Sequence, residues 1–237
     1  MRGSVRELEE QGWRAFWFPE VGGREAFTQA GLPLAATERL RVVNGIAQIW
    51  SHPAHSAHGA AALLADAYPG RHLLGLGFGG EPHPGVKPRT AMRDYLDELD
   101  SRKPAAPIRR ILAAYGPKML ELARDRAFLA VEHAVLFETD PAAARTVARE
   151  HLHTYRTTPY NIAKFRRLGY TEDDLARGGS DRIVDDLVFW GDLATITGKL
   201  RRHLEAGADH VAMQVIDIGP GATARRFWRE LGEALLR

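Results

Sequence analysis

Hydrophobic and polar positions along this chain follow two alternating periods. Short, nearly continuous apolar runs are typical of buried strands, and longer runs with apolar residues every three or four positions are typical of helices. The pattern predicts strands at 14–19, 40–49, 72–77, 110–115, 133–139 and 210–216, and helices at 5–11, 26–37, 53–68, 87–99, 117–126, 141–155, 192–206 and 222–236. Residues 159–188 have a helical pattern without an obvious strand. The alternation predicts βα units around a parallel sheet.

This alternation is interrupted at two places. The chain opens inside a helix that no strand precedes, and the helix that ends near Ala127 passes directly to residues 128–130. One further strand at each interruption would make eight, the number that closes a (β/α)8 barrel. We therefore predict an α/β fold, a TIM-like (β/α)8 barrel with two strand regions absent from this chain. An open doubly wound sheet is the structural alternative.

Composition narrows the class of protein. The chain has 237 residues with 45% hydrophobic content, enough for one large core, so we expect a single domain over residues 1–237. Its 32 basic and 30 acidic side chains are spread along the sequence, which argues against a nucleic-acid partner. The absence of cysteine excludes disulfides, thiolate nucleophiles and cysteine-based metal sites. No apolar run is long enough for a membrane span and no secretion signal is visible, so we expect a cytoplasmic protein.

The turn after the fourth predicted strand is a candidate anion site. Tyr115 and Gly116 end the strand, and Pro117 and Lys118 open the next helix. Glycine allows close approach to the backbone, and proline suits the first helical position. The helix amino terminus and the lysine would both favour an anion. An ordinary strand-to-helix turn explains the same residues.

In a barrel of this kind ligands bind at the carboxyl ends of the strands, and these ends are rich in glycine. Gly45 interrupts the second predicted strand, and Gly77, Gly79 and Gly80 surround Phe78 after the third. The glycines suggest that a flat or phosphorylated ligand approaches the backbone closely, although each one taken singly is also an ordinary turn glycine.

Four segments in a fixed order resemble the luciferase-like monooxygenase superfamily, and within it the actinobacterial coenzyme F420-dependent oxidoreductases. They are residues 14–27, 39–81, 111–127 and 190–216. The resemblance implies a TIM-like barrel with F420, or alternatively FMN, at the strand ends. The family's first strand and the strand that follows the 117–126 helix are missing here, at the two places where the periodicity is interrupted.

The resemblance also implies cofactor-binding roles for particular residues. Glu20 occupies the place of a polar residue beside the cofactor ring. Asn44, Gly45 and Ile46 match a bulge with a non-prolyl cis peptide that supports the ring. The segment Gly77, Phe78, Gly79 and Gly80 matches contacts with the ring edge and the ribityl chain, and the turn Tyr115, Gly116, Pro117 and Lys118 matches the phosphate contact.

Two further residues are candidates for acid–base chemistry. His52 lies at the expected barrel mouth, where an imidazole would suit proton transfer, and Glu81 lies beside the expected ring position. His52 also begins a run with His55 and His58. On a helix the third histidine of such a run is rotated away from the first two, so we expect no metal site.

These observations predict an F420-dependent oxidoreductase that transfers a hydride between the deazaflavin and a small organic substrate. The alternatives are an FMN-dependent monooxygenase, since flavin activates oxygen more readily than deazaflavin does, and a barrel that binds ligands without catalysis. Members of the family are commonly dimers, so the resemblance makes a homodimer one candidate assembly, although the residues identify no interface.

Overall fold

The structure is a computed structural model that describes residues 1–79, 85–104, 106–114, 117–124, 126–128, 130–216 and 223–236. The chain divides into two compact units, Met1–Leu129 and Ala130–Arg237, called here the first and the second unit. Within the described ranges, no helix is long and apolar enough to cross a membrane.

The first unit is a five-stranded parallel sheet with helices. Its strands are β1 (Ala15–Phe18), β2 (Arg41–Asn44), β3 (Ala47–Gln48), β4 (His72–Gly77) and β5 (Arg109–Leu112), and its helices are α1 (Arg2–Glu10), α2 (Ala26–Ala36), α3 (Ala54–Ala67), α4 (Pro88–Asp100) and α5 (Pro117–Arg124). The spatial order is β1, β2, β4, β5, and β3 also pairs with β4. β2 and β3 are the two parts of the predicted strand 40–49, separated by residues 45 and 46.

Apolar side chains of one face of this sheet contact the helices. Phe16, Phe18 and Val42 pack with Ala30 and Leu34 of α2. On β4, Leu74 and Leu76 pack with residues of α3 and α4. Because alternate residues of a strand point to the same face, the continuous apolar run of β4 buries both faces of that strand.

The second unit is a three-stranded parallel sheet with seven helices among its described residues. Its strands are β6 (Ala130–Leu136), β7 (Val188–Trp190) and β8 (His210–Val215), and its helices are α6 (Pro141–His151), α7 (His153–Thr157), α8 (Pro159–Arg167), α9 (Glu172–Leu175), α10 (Asp181–Leu187), α11 (Leu193–Glu205) and α12 (Thr223–Leu235). The strand β6 lies in the centre, between β7 and β8.

Both faces of β6 are covered. Leu136 packs with Ala144 and Ala148 of α6 and with Ile183 of α10. His133 points to the opposite face, where its ring lies 5.3 Å from that of His203 on α11. Helices of the second unit therefore pack against both sides of its central strand.

The α/β class and the parallel strands predicted from the pattern are confirmed, with two differences. The sequence predicted no strand in 159–188, whereas β7 begins at Val188 directly after α10. At the second interruption of the pattern, Phe128 forms a single parallel bridge with Ile111 of β5. Asp140 caps α6, since its carboxylate accepts a hydrogen bond from the backbone amide of Ala143 at 2.8 Å.

Candidate active site

Glu20 and His52 meet at the carboxyl ends of the strands of the first unit. Glu20 follows β1, and His52 lies in the turn between β3 and α3. Oε1 of Glu20 lies 2.7 Å from Nε2 of His52, and each side chain is 12% exposed. A carboxylate hydrogen-bonded to an imidazole is a pair that can pass a proton. The predicted residues Glu20 and His52 thus form one site, although they are 32 positions apart in sequence.

Gln48 is hydrogen-bonded to Glu20, the carboxylate of this pair. The backbone amide of Gln48 donates a hydrogen bond to Oε2 of Glu20 at 2.8 Å, and its side-chain amide donates to the Glu20 carbonyl at 3.2 Å. The two oxygens of the Glu20 carboxylate are therefore divided between Gln48 and His52. This division fixes the plane of the carboxylate and directs its Oε1 to the imidazole.

Three other side chains surround His52. Phe27 presents its ring edge-on to the imidazole, with centroids 5.1 Å apart. Oε1 of Glu25 lies 3.8 Å from Nδ1 of His52. The hydroxyl of Tyr95 donates to the His52 carbonyl at 2.8 Å. The ring of His52 consequently has a carboxylate on each nitrogen side, and its main chain is anchored to α4.

Both of the ionisable groups among these neighbours have shifted pKa values. Burial raises the pKa of Glu25, but hydrogen bonds from the amides of Phe27 and Thr28 outweigh burial, so the net pKa is lowered. Burial, with the negative charges of Glu98 and Glu20, raises the pKa of Tyr95. At neutral pH Glu25 is therefore an anion and Tyr95 a hydrogen-bond donor.

The peptide bond between Gly45 and Ile46 is cis, as the family resemblance implies. Trp17 packs beside it, since a Cβ atom added to Gly45 would lie 3.2 Å from the Trp17 ring. On the neighbouring strand, a Cβ atom at Gly77 would lie 2.8 Å from Cγ1 of Ile46. Ile46 is partly exposed, so it provides an apolar surface beside the strand ends.

The glycines of β4 and its loop are explained by contacts within the protein. A Cβ atom at Gly75 would overlap the carbonyl oxygen of Asn44, and one at Gly79 would overlap the side-chain amide of Gln48. Gly79 also has a φ of 74°. The close approach that the sequence suggested is thus made by β2 and β3. Contacts of Gly77 and Gly79 with a cofactor stay a prediction.

Asn44 faces the protein interior. It is fully buried, its side-chain amide donates to the carbonyl of Ala26 at 3.1 Å, and its Oδ1 lies 2.8 Å from Nε2 of His72. Burial lowers the pKa of His72 to about 4, so this histidine is neutral and donates to Asn44 at neutral pH. Because the whole residue is buried and its side chain is bonded within the protein, contact of Asn44 with a cofactor stays a prediction.

For the remaining predicted residues, the structure gives no contact with Glu20 or His52 or does not describe the residue. Phe78 forms a tilted ring pair with Trp50, with centroids 5.7 Å apart. Pro117 begins α5, and Lys118 is exposed on its first turn. Gly80, Glu81, Tyr115 and Gly116 lie outside the described residues.

The three histidines of the 52–58 run lie in three different surroundings. His52 contacts Glu20, His55 is exposed, and His58 lines a small cavity with Asp100 and Arg110. In the part of the chain that the structure describes, no three His, Asp or Glu side chains are grouped so that they could hold a metal ion.

The sequence did not identify Gln48, Glu25 or Tyr95 as part of the site. Glu25 directly precedes a predicted helix, which is a position typical of a helix cap. In the structure its carboxylate accepts hydrogen bonds from the backbone amides of Phe27 and Thr28. Tyr95 lies 43 positions from His52, and no local pattern connects the two.

Comparison with known proteins matches residues 1–100 to the luciferase-like monooxygenase family. The comparison with curated protein sequences gave no significant match.

Several solved structures are similar in fold. The coenzyme F420-dependent tetrahydromethanopterin reductase of Methanopyrus kandleri has a TM-score of 0.68 at 15% identity, over 99% of this chain and 94% of that one. The oxygenating constituent of 3,6-diketocamphane monooxygenase from Pseudomonas putida, in complex with FMN, also has a TM-score of 0.68, at 14% identity, over 98% and 90%. The monooxygenase RslO1 of Streptomyces bottropensis has a TM-score of 0.54 at 15% identity, over 100% and 94%.

At these identities the structures establish fold rather than reaction. The α/β fold with parallel sheets matches that of luciferase-like TIM-barrel enzymes. Together with the match over residues 1–100, it confirms the resemblance of this chain to the luciferase-like monooxygenases.

Proposed function

We propose that this protein is an F420-dependent oxidoreductase that transfers a hydride between the deazaflavin and a small organic substrate. The observation that carries the proposal is the Glu20–His52 pair at the strand ends, 2.7 Å apart and largely shielded from water. Hydride transfer to or from a carbon centre usually requires a proton to move at the neighbouring atom, and this pair can supply or accept one.

The residues at the strand ends fit a flat redox cofactor. Ile46 and the ring of Trp17 provide apolar surface beside the Gly45–Ile46 peptide, and Glu20 and His52 provide polar atoms at the strand ends of the same sheet. In the proposal Glu20, Gly45, Ile46, Phe78 and Gly79 hold the ring system. When bound, F420 supplies a carbon centre that gives or takes a hydride.

Each polar side chain then has a distinct task. Glu20, oriented by the Gln48 amide, holds His52 through Nε2. His52 holds or releases the proton. Tyr95 fixes the main chain of His52, and Phe27 shields one side of its ring from water.

Lys118 is the proposed phosphate contact. It lies on the first turn of α5, where the helix amino terminus and the ammonium group both favour an anion. Its exposure leaves the ammonium group free to reach a ligand in solution.

An FMN-dependent monooxygenase is the second candidate. It is supported by the structural likeness to a monooxygenase that binds FMN, whose TM-score of 0.68 equals that of the F420-dependent reductase. The same residues would hold the ring, and the chemistry supplied would then be oxygen activation.

Fluorescence titration with oxidised F420 and, separately, with FMN distinguishes these candidates. We expect saturable binding of F420 and binding of FMN that is at least tenfold weaker. Tighter binding of FMN than of F420 would favour the FMN-dependent monooxygenase over the F420-dependent oxidoreductase. Failure to bind either cofactor would leave a binding protein without redox chemistry and would overturn both candidates.

Substitution of Lys118 by alanine tests the phosphate contact. We expect the Kd for F420 to rise about fivefold, equivalent to roughly 1 kcal/mol. Lys103→Ala is the matched control, because Lys103 is also exposed but precedes β5 rather than following it. If both variants bind F420 as the wild type does, the phosphate does not contact Lys118.

A further inference from the structure

Arg156 is a buried cation in the second unit. It lies on α7 and is only 7% exposed. Its Nε is buried and has no hydrogen-bond acceptor among the described residues. No carboxylate within the described ranges forms an ion pair with its guanidinium. An arginine cannot lose its charge under ordinary conditions, so burial without an anion is unfavourable.

A loop with unusual backbone conformation packs over this side chain. Arg177, Gly178 and Gly179 have φ values of 47°, 92° and 96°, a run of three residues in the left-handed region. A Cβ atom at Gly179 would lie 3.3 Å from Cδ and 3.4 Å from Nε of Arg156. The glycine therefore provides the space that the guanidinium occupies.

The neighbouring charges are already paired with other groups. Arg149 forms an ion pair with Asp181 and donates to the carbonyl of Gly179. Asp174 accepts hydrogen bonds from Ser180 and Arg182. Burial and the positive charge of Arg149 both lower the pKa of Arg156. Among the residues that the structure describes, the surroundings thus supply a second positive charge close by and no carboxylate paired with Arg156.

We propose that Arg156 is the centre of an anion-binding site beneath the 177–179 loop, and that this site takes a small oxyanion, either a phosphate or a carboxylate group. A guanidinium presents several N–H donors in one plane, which matches the oxygens of both groups. The ligand is a free anion or the anionic end of an organic molecule. The site lies wholly within the second unit and does not depend on which redox cofactor the first unit binds.

Urea unfolding with inorganic phosphate or acetate, each compared with chloride at equal ionic strength, tests this site. We expect the unfolding equilibrium constant of the wild type to fall about tenfold when the favoured anion reaches ten times its Kd. Arg156→Gln should show no response. Arg167→Gln, at an exposed arginine of α8, is the matched control and should respond as the wild type does. A response to phosphate alone identifies a phosphoryl ligand, and a response to acetate alone identifies a carboxylate.

Two results would overturn the proposal. One is a wild type that responds to neither anion, and the other is an Arg156→Gln variant that keeps the full response. If Arg156→Gln does not fold, the test uses nuclear magnetic resonance of the wild type instead. The Nε–H signal of Arg156 is assigned by its loss in Arg156→Lys and is followed during titration with the anion. The signal is expected to shift as the anion is added, and an unchanged signal would contradict the site.

Discussion

The first unit packs α2, α3 and α4 against one face of its sheet, whereas the second unit packs helices against both faces of β6. The first unit brings Glu20 and His52 together at its strand ends. Both units also bury polar side chains, Asn44 and His72 in the first unit and Arg156 in the second. Two parallel sheets built from the same kind of pattern therefore differ in how their interior polar side chains are hydrogen-bonded.

Histidines show this difference most clearly. His72 of β4 is hydrogen-bonded to Asn44, which in turn is bonded to the carbonyl of Ala26. His133 of β6 stacks on Phe189 with ring centroids 3.5 Å apart, and neither its Nε2 nor that of His203 has a hydrogen-bond partner within the described residues. A bonded polar group stabilises and specifies a core, and an unbonded one costs free energy.

The largest effect is expected where the first unit is most tightly packed. Gly75→Ala would force a Cβ atom into the carbonyl oxygen of Asn44, so we expect a loss of at least about 3 kcal/mol in the free energy of unfolding. Urea denaturation followed by circular dichroism measures this loss.

Two helical glycines with open space around them are the controls. Gly31→Ala in α2 and Gly198→Ala in α11 should each stabilise the protein by roughly 0.5–1 kcal/mol, because no atom lies within 4 Å of the added Cβ. An unchanged stability of Gly75→Ala would show that β2 and β4 are not packed as described.

The pair of substitutions His72→Phe and His133→Phe tests the contrast between bonded and unbonded histidines. Removal of the His72 ring nitrogen leaves Asn44 Oδ1 buried and unpaired, which should cost about 1–3 kcal/mol. Removal of the unbonded Nε2 of His133 should cost less than about 1 kcal/mol. Equal losses in the two variants would contradict the contrast.

Acid should weaken both histidine sites. Burial lowers the pKa of His72 to about 4, and burial with His203 and Lys199 lowers that of His133 to about 4. The unfolded chain protonates these groups near pH 6.5, so their contribution is complete above that pH and is lost as the pH falls to about 4.

We therefore expect unfolding at pH 5 to be easier than at pH 7 by at most about 2 kcal/mol for each histidine. His133→Phe should remove its share of this pH dependence, as measured by urea unfolding at the two pH values. A pH dependence that the substitution leaves unaltered would mean that His133 is not titrating in this range.

A small effect is expected at a helix cap of the second unit. Thr171 and Asp174 form a capping box at α9, in which each side chain accepts a hydrogen bond from the backbone amide of the other residue. Thr171→Ala should cost about 1 kcal/mol in urea unfolding. Thr171→Ser keeps the hydroxyl and is expected to match the wild type, so a similar loss in both variants would argue against the capping role.

The sequence predicted most strands because their apolar runs are long enough to be distinctive, and the predicted range 72–77 coincides with β4. β7 was missed because it has three residues and follows α10 directly, so its apolar side chains continue the helical pattern. The strand conformation of β7 is fixed by its pairing with β6. This pairing joins residues far apart in sequence, so the local pattern of residues 188–190 carries no sign of it.

The candidate site was predictable only in part for the same reason. Glu20 and His52 could be identified one by one, as residues that follow strands. Their contact depends on the register between β1 and β2 and on the bend at Gly45, which bring distant residues to one edge of the sheet. Tyr95 reaches the site only because α4 packs against α3 and β4.

We propose that the strand ends of the first unit hold the redox cofactor next to His52. Nuclear magnetic resonance of the histidine ring nitrogens during titration with F420 can detect this contact, with signals assigned through His52→Asn and His133→Phe. We predict that the His52 signals shift in a saturable way while those of His133 and His203 stay unchanged. Saturable binding of F420 that leaves the His52 signals unmoved would contradict the claim.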